Sequence, residues 1–246
     1  MKIERTEHPD WLSNAYLVYD EPGGTGVFID GNDNVEPLIK AARDNDLQIA
    51  AVLLTHHHHD HLAGLERLSE EFGAPILAHE LTAREVDGVD RTLTDNETVS
   101  FGGLDVEALF TPGHAPGHLA FLVNGTDVFT ADVLFKGTVG GTLAPGATGY
   151  ADLKASVERL LALPPETVIH PGHTLPTTVA EERESNPFFR VWTGRDPEGD
   201  EACTVRGDPA TLVLWAPDYD GTNKAWIRFK DDGADGITGG SQVERS

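Results

Sequence analysis

The chain has 246 residues and is 39% apolar, enough to fill a core, yet it has no apolar run of 18 residues and so no candidate membrane-spanning helix. Acidic residues outnumber basic ones by 41 to 18, a net charge of -23 that argues against nucleic acid and anionic membranes as partners. Cys203 is the single cysteine, which excludes an intrachain disulfide and thiolate-rich metal sites, and the N-terminus lacks a long apolar signal segment. A cytoplasmic enzyme acting on a small molecule, with any metal held by His and carboxylate, is the expectation.

Residues 2–7, 15–19 and 26–29 read as strands, with Gly23 and Gly24 turning between the last two. Asp30 closes the third strand; it is either a partner orienting a metal-bound histidine or an ordinary turn residue. Residues 35–45 have helical spacing, with Leu38, Ile39 and Ala42 on one side. The apolar run 49–54 reads as a buried strand, and a helix is expected over 62–72. Between them stand Thr55, His56, His57, His58, His59, Asp60 and His61. Ligands in α/β proteins gather at such strand ends. In extended chain His56, His58 and Asp60 share one side and His57 and His59 face the other. Imidazoles and a carboxylate converging on one point suit zinc or a related first-row metal.

A strand over 75–78 and a helix over 81–86 follow, and His79 between them reads as structural. Strands are expected over 97–101, 104–110, 120–123 and 127–130, with Gly102-Gly103 and Asn124-Gly125 as turns. Thr111-Pro112-Gly113-His114 ends one of them in a loop whose shape Pro and Gly fix, which makes His114 a third imidazole candidate. His118 could touch substrate, stand behind a ligand or cap the loop. Asp132 interrupts an apolar strand, where an unpaired carboxylate is costly unless a cation meets it. The glycine-rich stretch 137–149 reads as a mobile loop beside the site. A helix over 150–163 and a strand over 167–169 lead to His170-Pro171-Gly172-His173, where His173 lies past the strand on the bend and is preferred as ligand. After a short acidic helix over 178–186, residues 194–210 read as a linker or long loop. Strands 212–215 and 225–229 make a hairpin whose Trp215, Tyr219, Trp226 and Phe229 either pack on the main body or close over a substrate. The tail 233–246 reads as poorly ordered.

Taken together, Thr-His-x-His-x-Asp-His, Thr-Pro-Gly-His, the strand Asp and Pro-Gly-His resemble the metallo-β-lactamase fold superfamily over about residues 14–190. The resemblance implies an αββα four-layer sandwich with the site at one edge. Residues 1–192 would form the catalytic domain and 193–246 an extension of a β-hairpin and a flexible tail. It also implies that His56, His58 and His114 hold one metal, that Asp60, His61 and His173 hold a second, and that Asp132 bridges them. His58 stands where the related flavo-diiron proteins have Glu, and the acidity argues against the nuclease branch.

The subgroup most similar is the glyoxalase II-like hydrolases, through residues 111–118 and the Glu182 to Asn186-Pro187-Phe188 segment. Residues 137–142 lack the basic residue that those enzymes carry after the bridging Asp, and Lys136 is a nearby substitute. The resemblance implies a binuclear hydrolase of thioesters, or else esters or lactones. Two divalent ions are expected, zinc first and iron or manganese as alternatives, with Asp60 and His118 as catalytic residues. A mononuclear iron persulfide dioxygenase, using His56 or His58 with His114 and Asp132, is the rival.

Overall fold

The computed structural model describes residues 1–245, with two six-stranded sheets at its centre. The first sheet takes its strands in chain order: Lys2–Glu7, Asn14–Tyr19, Thr25–Ile29, Gln48–Leu53, Ile76–His79 and Arg91–Leu93. The second runs Thr177–Thr178, Val168–Pro171, Asp127–Ala131, Leu119–Val123, Leu104–Phe110, Glu97–Phe101. Central strands are apolar on both faces because both faces are covered. Ala15, Leu17 and Tyr19 meet Leu38 and Ile39 of the helix Glu36–Asp44, and Leu65 and Leu68 of the helix Leu65–Phe72. Tyr16 and Val18, one residue out of phase, pack against Phe121 and Phe129 of the other sheet. Ala120 and Leu122 turn outward onto Leu153, Val157 and Leu160 of the helix Tyr150–Leu160. The period of two thus generates the αββα four-layer sandwich.

Strand direction places the site. Thr25–Ile29 and Gln48–Leu53 are parallel, as are Asp127–Ala131 and Val168–Pro171. Leu104–Phe110 shares the latter direction through two antiparallel steps. Within each sheet these strands end at one edge, and the loops after them converge.

Several expected elements differ. The helix expected over 62–72 is broken into His59–Leu62 and Leu65–Phe72. At the break, the Gly64 amide donates to Gly31 O and the Gly31 amide to His61 O, which docks the loop after Thr25–Ile29 against the turn. The helix expected over 81–86 is only Glu80–Ala83. His79 caps it through Nδ1 and stacks on Phe110 at 4.6 Å, a structural role. The stretch 137–149 is a hydrogen-bonded strap, not a mobile loop. Its Thr138–Val139 pairs with Leu134–Phe135, and Thr142 pairs with Ile237 on the far side. The acidic helix is Val179–Ser185, and Asn186 caps a further helix, Pro187–Trp192, by accepting from the Phe188 and Phe189 amides.

The linker and flexible tail give way to a five-stranded antiparallel sheet in the order Asp235–Gly239, Asn223–Phe229, Asp208–Pro217, Glu201–Val205, Val243–Arg245. The expected hairpin is its centre. Glu201–Val205 is hidden in an acidic, Gly- and Pro-rich context, yet Cys203 and Val205 alternate into a small core with Ala210, Leu212, Ala225 and Ile227. The other face sends Val213, Trp226 and Ile237 into the apolar layer around the helix Tyr150–Leu160. Each such buried side chain contributes roughly 1.5–3 kcal/mol. Ion pairs such as Arg245–Glu201 lie within the sheet, exposed, and contribute about 0–1 kcal/mol to it. No helix among the described residues is long and apolar enough to cross a membrane.

Candidate metal centre

Leu54 and Thr55 continue the strand Gln48–Leu53 as wholly buried residues and deliver His56 to the sandwich edge. The chain stays extended through His58, at φ -73° and ψ 142°, and then turns into the helix His59–Leu62. Alternation therefore governs His56 and His58, whose rings are 4.7 Å apart, and leaves His59 exposed. Asp60 and His61 reach the cluster by a helical turn instead, a correction to the expectation that Asp60 arrives by extended alternation.

The ligand atoms of His56, His58, His114 and Asp132 lie within 4.8 Å of one another, and those of Asp60, His61 and His173 do likewise. Asp132 stands between the groups. Its Oδ2 is 3.4 Å from His114 Nε2 and 3.9 Å from His56 Nε2. The same oxygen is 3.5 Å from His173 Nε2, and Oδ1 is 3.3 Å from His61 Nε2. Asp60 Oδ2 lies 3.6 Å from His61 Nε2 and 3.5 Å from His173 Nε2, with the Asp60 side chain 26% exposed at the open face.

Outer contacts set the rings. Asp30, in left-handed backbone at φ 57°, accepts from the Thr55 amide on one oxygen. Its other oxygen accepts from Thr55 Oγ1 and from His61 Nδ1, each at 2.8 Å. Of the two roles open to Asp30, orienting a histidine is the one seen. His56 Nδ1 meets Thr55 Oγ1, and His114 Nδ1 donates to Gly141 O, both at 2.9 Å. Each contact fixes a tautomer with Nε2 unprotonated, and that of His114 lies 2.8 Å from His58 Nδ1.

Asp132 is one residue past its strand rather than within it. Ala131 takes φ 38° and turns the chain so that the carboxylate faces the cluster. Gly172 makes room: a Cβ there would stand 2.2 Å from Asp132 Oδ1. Gly113, at φ 134°, lets the His114 loop sit on Leu153, whose Cα would be 2.4 Å from a Cβ. His118 is wholly buried behind Asp132, with Nδ1 on Thr111 Oγ1 and Nε2 accepting from the Asp132 amide. Both its ring nitrogens are therefore engaged inside the protein, away from the open face.

Burial pushes His56 well below the usual histidine range, His58 down to about 4, and His114 down as well. Burial acts the same way on His61, but the carboxylates of Asp132 and Asp30 overrule it and hold His61 well above that range. Burial would raise Asp132, and His173 and His61 instead hold it well below the carboxylate range. Neutral His56, His58 and His114 beside the charged, buried Asp132 form a donor set suited to a cation. Among the described residues, His56 Nε2, His61 Nε2 and Asp132 Oδ1 are buried without a hydrogen-bond partner. Orphaned polar atoms of this kind are expensive, and divalent cations would satisfy them.

Residues 8–173 match the metallo-beta-lactamase superfamily. The chain belongs to that superfamily. Among its relatives, the hydroxyacylglutathione hydrolase GloC of Haemophilus influenzae is 32% identical over 210 residues, covering 77% of this chain and 98% of that protein. The di-iron-bound crystal structure of TTHA1623 is 36% identical with a TM-score of 0.65, covering 75% of this chain and 99% of that one. ETHE1 from Myxococcus xanthus has a TM-score of 0.70 at 26% identity, covering 80% of this chain and 92% of that one. The superfamily match ends at His173, so the five-stranded C-terminal sheet lies outside it.

Tyr219, in a turn of that sheet, joins the centre. Tyr219 stacks on His173 with ring centroids 4.2 Å apart and planes at 14°. Burial, then the carboxylates of Asp132 and Asp218, push the Tyr219 phenol up, so it stays protonated. Lys224 is buried and pairs with Asp218 at 3.0 Å. Lys136 points elsewhere, to Glu181 at 3.2 Å. His170 is held by Asp127 at 2.8 Å and stacks on Phe129 at 4.7 Å, away from the ligand groups. The hairpin aromatics were visible in the sequence, but Lys224 carried no signal, because a lone lysine in a strand has no spacing to betray it.

Proposed function

We propose that the protein is a binuclear metal-dependent hydrolase that cleaves a small thioester, or an ester or lactone, in the manner of glyoxalase II. The observation that carries this reading is Asp132, with its two carboxylate oxygens set between two separate three-residue ligand groups. His56, His58 and His114 would hold one divalent ion, Asp60, His61 and His173 the other, and Asp132 would be shared. Zinc is the expected metal, with iron or manganese as alternatives. When bound, the ions lower the pKa of a water and polarise the carbonyl it attacks.

The chain's own groups do the rest. The Asp132 carboxylate, aimed by the His118 ring on its amide, holds the two groups at one spacing; His118 is thus a positioning residue. Asp60 is the carboxylate at the open face, where it can accept a hydrogen bond from the nucleophile as well as ligate. The Asp30 carboxylate keeps His61 Nε2 turned inward. The GloC relative acts, by its name, on a hydroxyacylglutathione. That supports a thioester substrate here. Residues 137–142 offer no cation and Lys136 is tied to Glu181, so we read the thiol carrier as one other than glutathione.

A mononuclear iron oxygenase acting on a persulfide would need only the first group and would leave Asp60, His61 and His173 without a role. Element-resolved metal analysis of the purified protein, with assays on small thioesters, tests the choice. Two ions per chain, and loss of both hydrolysis and metal in His58→Ala, are expected. One iron per chain with oxygen uptake on a thiol persulfide would favour the oxygenase, and full hydrolysis in His58→Ala would sink the hydrolase.

A further inference from the structure

Metal-bound histidines are normally turned by a hydrogen bond on the ring nitrogen that faces away from the metal. His56, His61 and His114 each have one, to Thr55, Asp30 and Gly141. His173 does not. Its Nε2 faces Asp60 and Asp132, and its outer nitrogen Nδ1 is buried without a hydrogen-bond partner among the described residues.

What holds the ring is aromatic. Tyr219 lies flat on His173 at 4.2 Å, and Phe135 meets His173 edge-on at 5.6 Å and Tyr219 at 5.1 Å. Tyr219 stands at the turn between the strands Asp208–Pro217 and Asn223–Phe229, and that turn is itself pinned. Asp218 accepts from the Tyr219 amide at 2.9 Å and pairs with buried Lys224, whose Nζ lies 5.4 Å from the Tyr219 ring centre. The two strands are docked through Trp226 on Tyr150, and their neighbour Asp235–Gly239 through Ile237 on Thr142.

We propose that the C-terminal sheet is a working part of the metal centre, with Tyr219 as the positioning residue that sets His173 for the second ion. This rests on the two-ion reading above. The sheet lies beyond the matched superfamily region, so the brace is an addition to the shared sandwich. Its consequence is that affinity for the second ion depends on a segment that contributes no ligand.

The test measures zinc binding to the full-length protein by chelator competition, with the ion count per chain, in wild type, Tyr219→Phe and Tyr219→Ala. Tyr219→Phe keeps the ring and is expected to keep two ions at wild-type affinity. Tyr219→Ala is expected to bind the second ion about 10–100-fold more weakly, as for loss of an outer-shell partner, with the first ion unchanged. Far-UV circular dichroism of the same samples checks that the fold is intact. Two ions of unchanged affinity in Tyr219→Ala overturn the proposal and leave the two-ion reading standing. An equal loss in Tyr219→Phe also overturns it, because the ring stack would then not be the cause. A wild type that takes only one ion overturns the two-ion reading and this proposal with it.

Discussion

The two ligand groups draw on the same pieces of chain but are held by different means. His56 and His58 come from the turn after Gln48–Leu53 and meet His114 from the second sheet; Asp60 and His61 come from the same turn and meet His173 from the second sheet. In the first group, His56 and His114 are turned by Thr55 and Gly141. In the second, Asp30 turns His61 while an aromatic face from the C-terminal sheet steadies His173. Hydrogen bonds are directional and fix a tautomer as well as a ring plane. A stack fixes the plane alone and contributes roughly 0.5–1.5 kcal/mol. The extension thus reaches the first group only through the strap, whose Thr142 pairs with Ile237 beside Gly141, and reaches the second by direct contact of Tyr219 with His173.

The largest effect should come where the groups meet. Asp132→Ala removes the shared carboxylate, and metal analysis is expected to show loss of both ions. Hydrolysis should fall by about a thousandfold or more, the scale set by several kcal/mol of lost charge stabilisation. Retention of one ion at full affinity would mean that Asp132 belongs to one group only.

A smaller, one-sided effect is expected from Asp30→Asn. The side chain keeps its shape and can still accept from the Thr55 amide, but an amide nitrogen cannot accept the His61 Nδ1 proton. Affinity for the second ion should drop about 10–100-fold, with the first ion held as before, in the same chelator competition. Equal loss of both ions would show that Thr55 transmits the change to His56, and the separation of the two groups would then break down.

The strands and the candidate histidines were legible from local rules, whereas the four-layer sandwich and the division of seven candidate ligands into two groups came from the family resemblance. Apolar runs buried on both faces read as strands, and histidines past strand ends read as ligands. Asp30 was legible only as one of two roles, since its contact with His61 spans 31 residues and leaves no spacing in the sequence. The strap over 137–149 looked loose because glycine content reports freedom in the chain. Its partners His114 and Ile237 are distant in sequence and remove that freedom. The same cause hid Val243–Arg245, whose partner Glu201–Val205 lies about 40 residues away, while Glu201–Val205 was hidden by its acidic, Gly- and Pro-rich context. Tyr219 was visible as an aromatic, but its stack on His173 depends on how the C-terminal sheet packs on the sandwich.

The smallest effects belong to His57 and His59, the two members of the histidine run outside both groups. Alternation alone treats them as equals, and the structure separates them. His59 is exposed and meets only the edge of Trp11, with ring centroids 5.2 Å apart. His59→Ala should leave ion count, affinity and melting temperature near wild type. His57 is half-buried, its Nδ1 is shielded without a partner, and its Nε2 stands 4.0 Å from where a Cβ of Gly146 would lie. It therefore lies beside the strap whose Gly141 carbonyl turns His114. His57→Ala should keep both ions yet weaken the first by a few-fold, with the second unchanged, because the strap braces only His114. Chelator competition resolves the two ions, so a loss confined to the second ion, or one as large as that of His58→Ala, would show that the division of the run into ligands and bystanders is drawn in the wrong place.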